Sequence, residues 1–252
     1  MRIVLFVVND GNFVPLLNEQ LVKEKGNQII KIYVSKSLFS IKKLIKSTPF
    51  FLRNLYPFCI KPTDLIKFSI QNTFKKKKNA YEYFKSKGFE VEYIDTLNSE
   101  SFRLELKKLK PDIFLFSPFD KIAGPKFLNI PNIGSFNIHL GKLPEYKGGL
   151  SAFWVLRFGD PIAGVSIHRI NNKIDEGELV AEHRFNVTTN SMHELMLITV
   201  YHGSKLIVDL VNMIEKGNNI NPIDKKMREE NYFFYPKAKD FFQFYKKKNK
   251  LI

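Results

Sequence analysis

Short, densely apolar segments alternate with helical patterns along the first half of this chain, and this alternation limits its fold more than any other feature. The apolar segments are rich in Ile, Val and Phe, as strands covered on both faces should be. They span residues 2–8, 28–34, 91–95 and 112–117. Helical patterns lie between them at 13–25, 80–87 and 99–109. Such alternation implies parallel βαβ units.

The expected fold class is therefore α/β, an open, Rossmann-like parallel sheet. Further strands are predicted at 135–139, 165–170 and 179–185. Ser191 and Glu194 form a capping-box pattern that opens a long helix toward Glu215, and Gly217 is placed to stop it. We therefore predict a catalytic domain over 1–190, followed at 191–252 by a helix and a basic, aromatic tail.

Residues 36–79 interrupt the alternation. Leu, Ile and Phe recur there at helical spacing with Lys between them, and Pro49, Pro57 and Pro62 break the pattern. We interpret the segment as inserted amphipathic helices. A solvated helical pair, a surface for the acceptor or a partner, and an anchor at anionic lipid all remain open for it.

The net charge of +15 suggests a polyanionic partner, but its distribution argues otherwise. Residues 41–80 carry a net +9 and residues 225–252 a net +6, so the remainder is neutral overall. The only cysteine is Cys59, which excludes an intramolecular disulfide and fits a reducing cytoplasm. No stretch approaches the roughly 20 apolar residues that span a bilayer. A cytoplasmic protein is expected; a homodimer and a weak membrane-surface association stay open.

Polar side chains collect at the end of the fifth predicted strand and in a later turn. Asn137 and His139 are two residues apart on a strand, so they point to the same face. A loop rich in Gly and Pro follows, and further on Asp175-Glu176-Gly177 forms a turn between two strands. An amide donor, an imidazole and a carboxylate suffice for acyl transfer to an amine. Each pattern alone also has a purely structural explanation; their combination is more specific.

In this combination the chain resembles the folate-dependent formyltransferases, and most of all the sugar N-formyltransferases. The resemblance rests on Asn-x-His, Leu-Pro-x-Tyr-x-Gly, Gly-Val-Ser-Ile-His and Asp-x-Gly patterns. They occupy residues 137–139, 143–148, 164–168 and 175–177. Three loop positions depart from the family. Leu140-Gly141 stands where members usually have Pro-Ser, and Ser151 replaces a common Pro.

The resemblance implies 10-formyltetrahydrofolate as the co-substrate. With one Cys and scattered His, the sequence has no zinc-ligand spacing, so no metal is expected. The resemblance also implies that Asn137, His139 and Asp175 are catalytic, and that the first two stabilise the oxyanion. His168 is expected to be a hydrogen-bonded core residue. The donor would contact Lys121, Ile122, Leu128, Asn171 and Ile174. Acceptor contacts are expected from Asn9, Tyr146, Gly148 and Trp154, although a capping turn explains Asn9 equally well and packing is the safer interpretation for Trp154.

Three classes of acceptor compete. Only 67 residues follow Phe185, too few for a helix plus the barrel domain of enzymes that act on methionyl-tRNA. Members that act on glycinamide ribonucleotide lack an insertion like 36–79. A nucleotide-linked amino sugar for bacterial surface glycans such as O-antigen is therefore expected, and no nucleic acid. The non-enzymatic alternative is an RNA-binding module, but no RNA-binding motif supports it.

Overall fold

The computed structural model describes residues 1–35, 78–171, 173–218, 220–224, 232–233 and 235–252. The predicted helical insertion at 36–79 lies outside these ranges, apart from residues 78 and 79. The strands are β1 Ile3–Val8, β2 Ile29–Ser35, β3 Val91–Ile94, β4 Ile113–Phe116, β5 Gly134–His139, β6 Lys147–Gly148, β7 Ile162–Arg169, β8 Leu179–Asn186 and β9 Tyr232–Phe233. The helices are α1 Val14–Lys25, α2 Ala80–Ser86, α3 Glu100–Lys108, α4 Pro125–Leu128, α5 Ser151–Phe158, α6 Met192–Glu215 and α7 Ala238–Lys246.

Seven of the described strands form one sheet, in the order β3-β2-β1-β4-β5-β7-β8. The first five run parallel, whereas β7 is antiparallel to both β5 and β8. The predicted α/β fold with a mostly parallel sheet is confirmed; only β7 runs against the other six strands of this sheet, which makes both of its pairings antiparallel. A parallel neighbour needs a crossover helix on the sheet. The helix between β5 and β7 is α5, which packs with α7 in a separate apolar cluster.

Helices cover both faces of the sheet, which explains why β1 is buried along its whole length. One face packs against α1 and α6 through residues such as Leu17 and Ile207. The other packs against α3 and α4 through Leu106 and Phe127. The strands are therefore continuous apolar runs rather than alternating ones.

The helix α6 begins and ends where the sequence predicts. The Ser191 side chain accepts a hydrogen bond from the Glu194 backbone N–H at 3.3 Å. The predicted return bond was wrong, since the Glu194 carboxylate bonds the Thr189 hydroxyl instead. Gly217, in the left-handed region at φ +68°, follows the helix end. By length and composition alone α6 suits a membrane span, but its buried residues belong to the main core, which makes that weak support for one.

Candidate active site

The strand pair β5–β7 brings an amide and an imidazole together. Asn137 lies directly opposite His168 in this antiparallel pair, where facing side chains are close. The Asn137 amide nitrogen is 3.1 Å from His168 Nε2. His168 Nδ1 is 2.8 Å from the Arg169 carbonyl oxygen, which only accepts. Nδ1 therefore carries a hydrogen, and Nε2 faces Asn137.

Asp175 lies between two imidazoles. Its Oδ2 is 3.4 Å from His139 Nδ1, and its Oδ1 is 3.4 Å from His168 Nε2. The Gly148 backbone N–H donates to Oδ2 at 2.8 Å. The carboxylate is buried. It is thus a fixed negative charge that faces two rings able to carry a positive one.

The turn that carries Asp175 is held tightly against β7. A Cβ atom on Gly177 would lie 1.6 Å from the Arg169 carbonyl oxygen and 3.1 Å from His168 Nδ1. Only glycine permits this approach. Asp175 itself has a left-handed backbone, with φ 52°. The Asp-x-Gly pattern is therefore the local geometry that folds a carboxylate back over β5 and β7.

His139 is oriented by acceptors on both ring nitrogens. Its Nε2 is 2.6 Å from the Tyr146 carbonyl oxygen, while Nδ1 faces Asp175. A neutral imidazole carries one N–H, so only the protonated ring offers a hydrogen to both partners. The ring is 7% exposed. The Tyr146 carbonyl and the Asp175 carboxylate therefore fix the orientation of the buried His139 ring.

Opposing effects act on the pKa of Asp175. Burial alone would raise it, but the charge of His139, the hydrogen bond and charge of His168, and the Gly148 N–H lower it more strongly. The net direction is down from the ordinary value. Asp175 is therefore ionised throughout the neutral range.

This lowered pKa makes stability depend on pH. The ionised carboxylate contributes stability above the unfolded-state pKa, about 3.9, which is lost as pH falls through the lower folded-state value. We expect the free energy of unfolding of the wild type to fall more steeply below about pH 4 than that of Asp175→Asn. Urea unfolding from pH 5 to pH 2 measures both. Parallel pH profiles would contradict the assignment.

The predicted acceptor residues are placed differently from one another. Asn9 follows β1, and its side chain accepts from the Tyr81 N–H at 3.1 Å and lies 3.3 Å from the Tyr93 hydroxyl. The Gly148 N–H donates to Asp175, which places Gly148 in the site. Tyr146 and Trp154 are buried in the cluster around α5 and α7. The Tyr146 backbone serves the site while its hydroxyl donates to Asp160 at 3.0 Å. The acceptor contacts of all four residues stay predictions.

Of the predicted donor residues, two expose apolar side chains: Ile122 is 72% and Ile174 51% exposed. Leu128 is buried and Lys121 partly exposed. Asn171 bonds within its own turn, donating to the Glu176 carbonyl at 3.2 Å. The backbone at Ile122 is held by Asn98, which the sequence did not single out, through a 3.1 Å bond. Donor binding by these residues stays a prediction.

Three contributors to the site were not predicted as such from the sequence. His168 contacts both Asn137 and Asp175, which only the β5–β7 register reveals. Ser151 Oγ is 3.5 Å from His139 Nε2. Lys147, whose side chain is fully buried, pairs with Glu176 at 2.9 Å. Within the described ranges no group of three or more His, Cys, Asp or Glu residues is placed to hold a metal ion.

Residues 66–210 match the family described as formyl transferase. The match covers more than half of the 252 residues, so the chain belongs to the formyl transferase family. The predicted family is confirmed. Asn137, His139 and Asp175 all lie inside the matched region. The geometry described above therefore belongs to the part of the chain that matches the family.

Two curated relatives share part of this chain. The bifunctional polymyxin resistance protein ArnA of Wigglesworthia glossinidia brevipalpis is 32% identical over 149 residues, 58% of this chain and 23% of ArnA. A methionyl-tRNA formyltransferase of Prochlorococcus marinus is 30% identical over 149 residues, 56% of this chain and 45% of that enzyme. The chain thus spans less than half the length of either relative.

Solved structures share the fold at lower identity. The N-formyltransferase from Helicobacter canadensis, in complex with folinic acid and dTDP-3-aminofucose, superposes with a TM-score of 0.58 at 18% identity. The superposition covers 92% of this chain and 71% of that one. Phosphoribosylglycinamide formyltransferases are also among the matching structures. Fold likeness therefore extends to enzymes with different acceptors.

Proposed function

We propose that the chain transfers a formyl group from 10-formyltetrahydrofolate to the amine of a nucleotide-linked amino sugar. The observation that carries the proposal is the convergence of Asn137, His139 and Asp175, with His139 held between the Tyr146 carbonyl and the Asp175 carboxylate. We further propose that the protein works in the cytoplasm, without a metal.

In the proposed reaction the acceptor amine attacks the formyl carbon and a tetrahedral oxyanion forms. Asn137 has two amide hydrogens; one serves His168 and the second is offered to the oxyanion. His139, either protonated or carrying a single N–H, supplies a second donor to the oxyanion. Fixed donors of this kind stabilise charge as it develops, without reorganising.

The oxyanion collapses as the bond between the formyl carbon and N10 of the folate breaks. The acceptor nitrogen loses one proton and N10 gains one, so the products are a formamide and tetrahydrofolate. Asp175 orients His139 and relays the proton through water. Its lowered pKa makes it a weak base, so the relayed proton is released to N10 rather than retained.

A solved structure supports the choice of acceptor. The Helicobacter canadensis enzyme, bound to a nucleotide-linked amino sugar, matches 92% of this chain in fold. Methionyl-tRNA and glycinamide ribonucleotide remain the alternatives, given the relatives with those names. The RNA-binding alternative does not explain why His139 and Asp175 form a buried pair.

A direct assay tests the reaction. Purified protein is incubated with 10-formyltetrahydrofolate that is isotope-labelled in the formyl group and with a panel of nucleotide-linked amino sugars. The expected product carries the label and is heavier than the amine by one CO. If the protein binds no folate analogue and labels no amine in the panel, glycinamide ribonucleotide or charged tRNA, the enzyme proposal fails.

Salt dependence separates a sugar from a tRNA acceptor. A polyanion held by six to ten phosphate contacts loses about 10³–10⁵ in affinity between 50 and 200 mM salt, and a small diphosphate sugar loses far less. We therefore expect a shallow salt dependence of KM. Deletion of the run Lys75–Lys78, which lies largely outside the described residues, should leave sugar turnover nearly unchanged. Formylation of charged initiator tRNA with a steep salt slope, lost on this deletion, would favour the tRNA acceptor.

A further inference from the structure

A two-residue strand near the C-terminus pairs with the loop that completes the site. β9 runs parallel to β6, with Tyr232 opposite Lys147 and Phe233 opposite Gly148. The Gly149 N–H extends the pairing, donating to the Phe233 carbonyl at 3.0 Å. β9 lies outside residues 66–210, the region that matches the formyl transferase family.

Phe233 anchors this strand. Its ring lies against three aromatic rings, with centroid distances of 5.6 Å to Tyr146, 5.0 Å to Trp154 and 5.5 Å to Phe158. The backbones approach so closely that a Cβ on Gly148 would be 2.3 Å from the Phe233 carbonyl oxygen. β9 therefore holds the backbone of this loop in place.

The residues that β9 holds are the ones the loop contributes to the site. The Tyr146 carbonyl lies 2.6 Å from His139 Nε2, and the Gly148 N–H donates to Asp175 at 2.8 Å. Lys147, between them, pairs with Glu176 in the Asp175 turn. A two-residue strand has too few hydrogen bonds to hold its own position. The placement of both backbone groups thus depends on the partner strand.

We propose that β9 is a clamp on the active-site loop, and that Phe233 is a positioning residue for His139 and Asp175. This inference rests on the proposed function. The electrostatics of Tyr232 agree with it, because burial raises the pKa of Tyr232 and the negative charge of Asp175 raises it further. The clamp thus lies within electrostatic reach of the carboxylate.

The test compares two phenylalanines of the same tail. Phe233→Ala removes the anchor, whereas Phe242→Ala removes a ring that is 72% exposed. Displacement of a reacting group by about 1 Å costs roughly 10²-fold in rate. We expect a kcat loss of this order for Phe233→Ala at nearly unchanged KM for the folate, and wild-type kinetics for Phe242→Ala. Phe233→Leu, which keeps an apolar anchor, should recover much of the loss. If the alanine variant does not fold, the test is whether kcat of Phe233→Leu still lies below that of Phe242→Ala; equal values would overturn the clamp.

A second measurement does not depend on turnover. The amide resonance of Gly148 should titrate with the Asp175 carboxylate at low pH in wild-type protein and in Phe242→Ala, and should lose this response in Phe233→Ala. An unchanged Gly148 response, or equal kcat values for the two alanine variants, would overturn the clamp. A protein that transfers no formyl group but shows the expected Gly148 difference would overturn the proposed function and leave the clamp standing.

Discussion

Asp175→Asn should lower kcat by about 10³-fold while the protein remains folded. Asparagine keeps the shape of the side chain and an oxygen that can accept the Gly148 N–H. It removes the charge that faces His139 and His168, each 3.4 Å away. His139 then loses the carboxylate that orients its ring, so its N–H is no longer held toward the developing oxyanion.

Steady-state turnover at saturating folate, together with a thermal melt, measures this effect. Glu178→Gln is a matched control, because it removes an acidic charge three residues away on a side chain that is 61% exposed. The control should retain wild-type kcat, since surface ion pairs contribute little. Turnover of Asp175→Asn within threefold of the control would refute the assigned role.

Gly141→Ser should lower kcat by about 10²-fold, although serine is the usual family residue there. A Cβ at position 141 would lie 2.7 Å from His139 Nε2 and 2.4 Å from Ser151 Oγ. Either the imidazole or Ser151 must then move. Both are buried, so neither moves freely. Positions 141 and 151, which both depart from the family pattern, are thus neighbours in space. The Ser151 side chain fills the volume that a side chain at position 141 would need.

The double variant Gly141→Ser/Ser151→Gly tests this coupling. It transfers the hydroxymethyl group from position 151 to position 141 and removes the closer of the two conflicts. We expect it to recover about tenfold in kcat over Gly141→Ser, since residues in contact depart from additivity by this order. Ser151→Gly alone serves as the control for the lost hydroxyl beside His139. Purely additive effects would mean that the two positions act independently.

The sheet was predictable from sequence because its strands are covered on both faces. β1 and β4 read as continuous apolar runs for that reason. That Asn137 and His139 share one face of β5 was also predictable, since alternation along a strand is a local property. The direction of β7 was not predictable, because the helix α5 that precedes it could equally have been a crossover.

Contacts between segments that are far apart in the sequence could not be predicted. His168 reaches Asn137 through a strand register that no local pattern encodes. β9 is two residues long, so its apolar character carries no periodicity to detect. The helix α5 has only eight residues, and the first six of them are buried. Each of these features is decided by tertiary packing, which overrides local signals.

The packing of α6 against α1 sets an order of events during synthesis. Lys25 and Glu215 join these helices by an ion pair at 2.5 Å, although 190 residues separate them. Gly203 of α6 lies so close to Leu17 that a Cβ would be 2.8 Å from its methyl group. A ribosome that has made only the first 190 residues has not yet made α6, so the part of this face that α6 covers on β7 and β8 is exposed to water. Such surfaces bind chaperones and one another, so the nascent chain depends on prompt synthesis of α6.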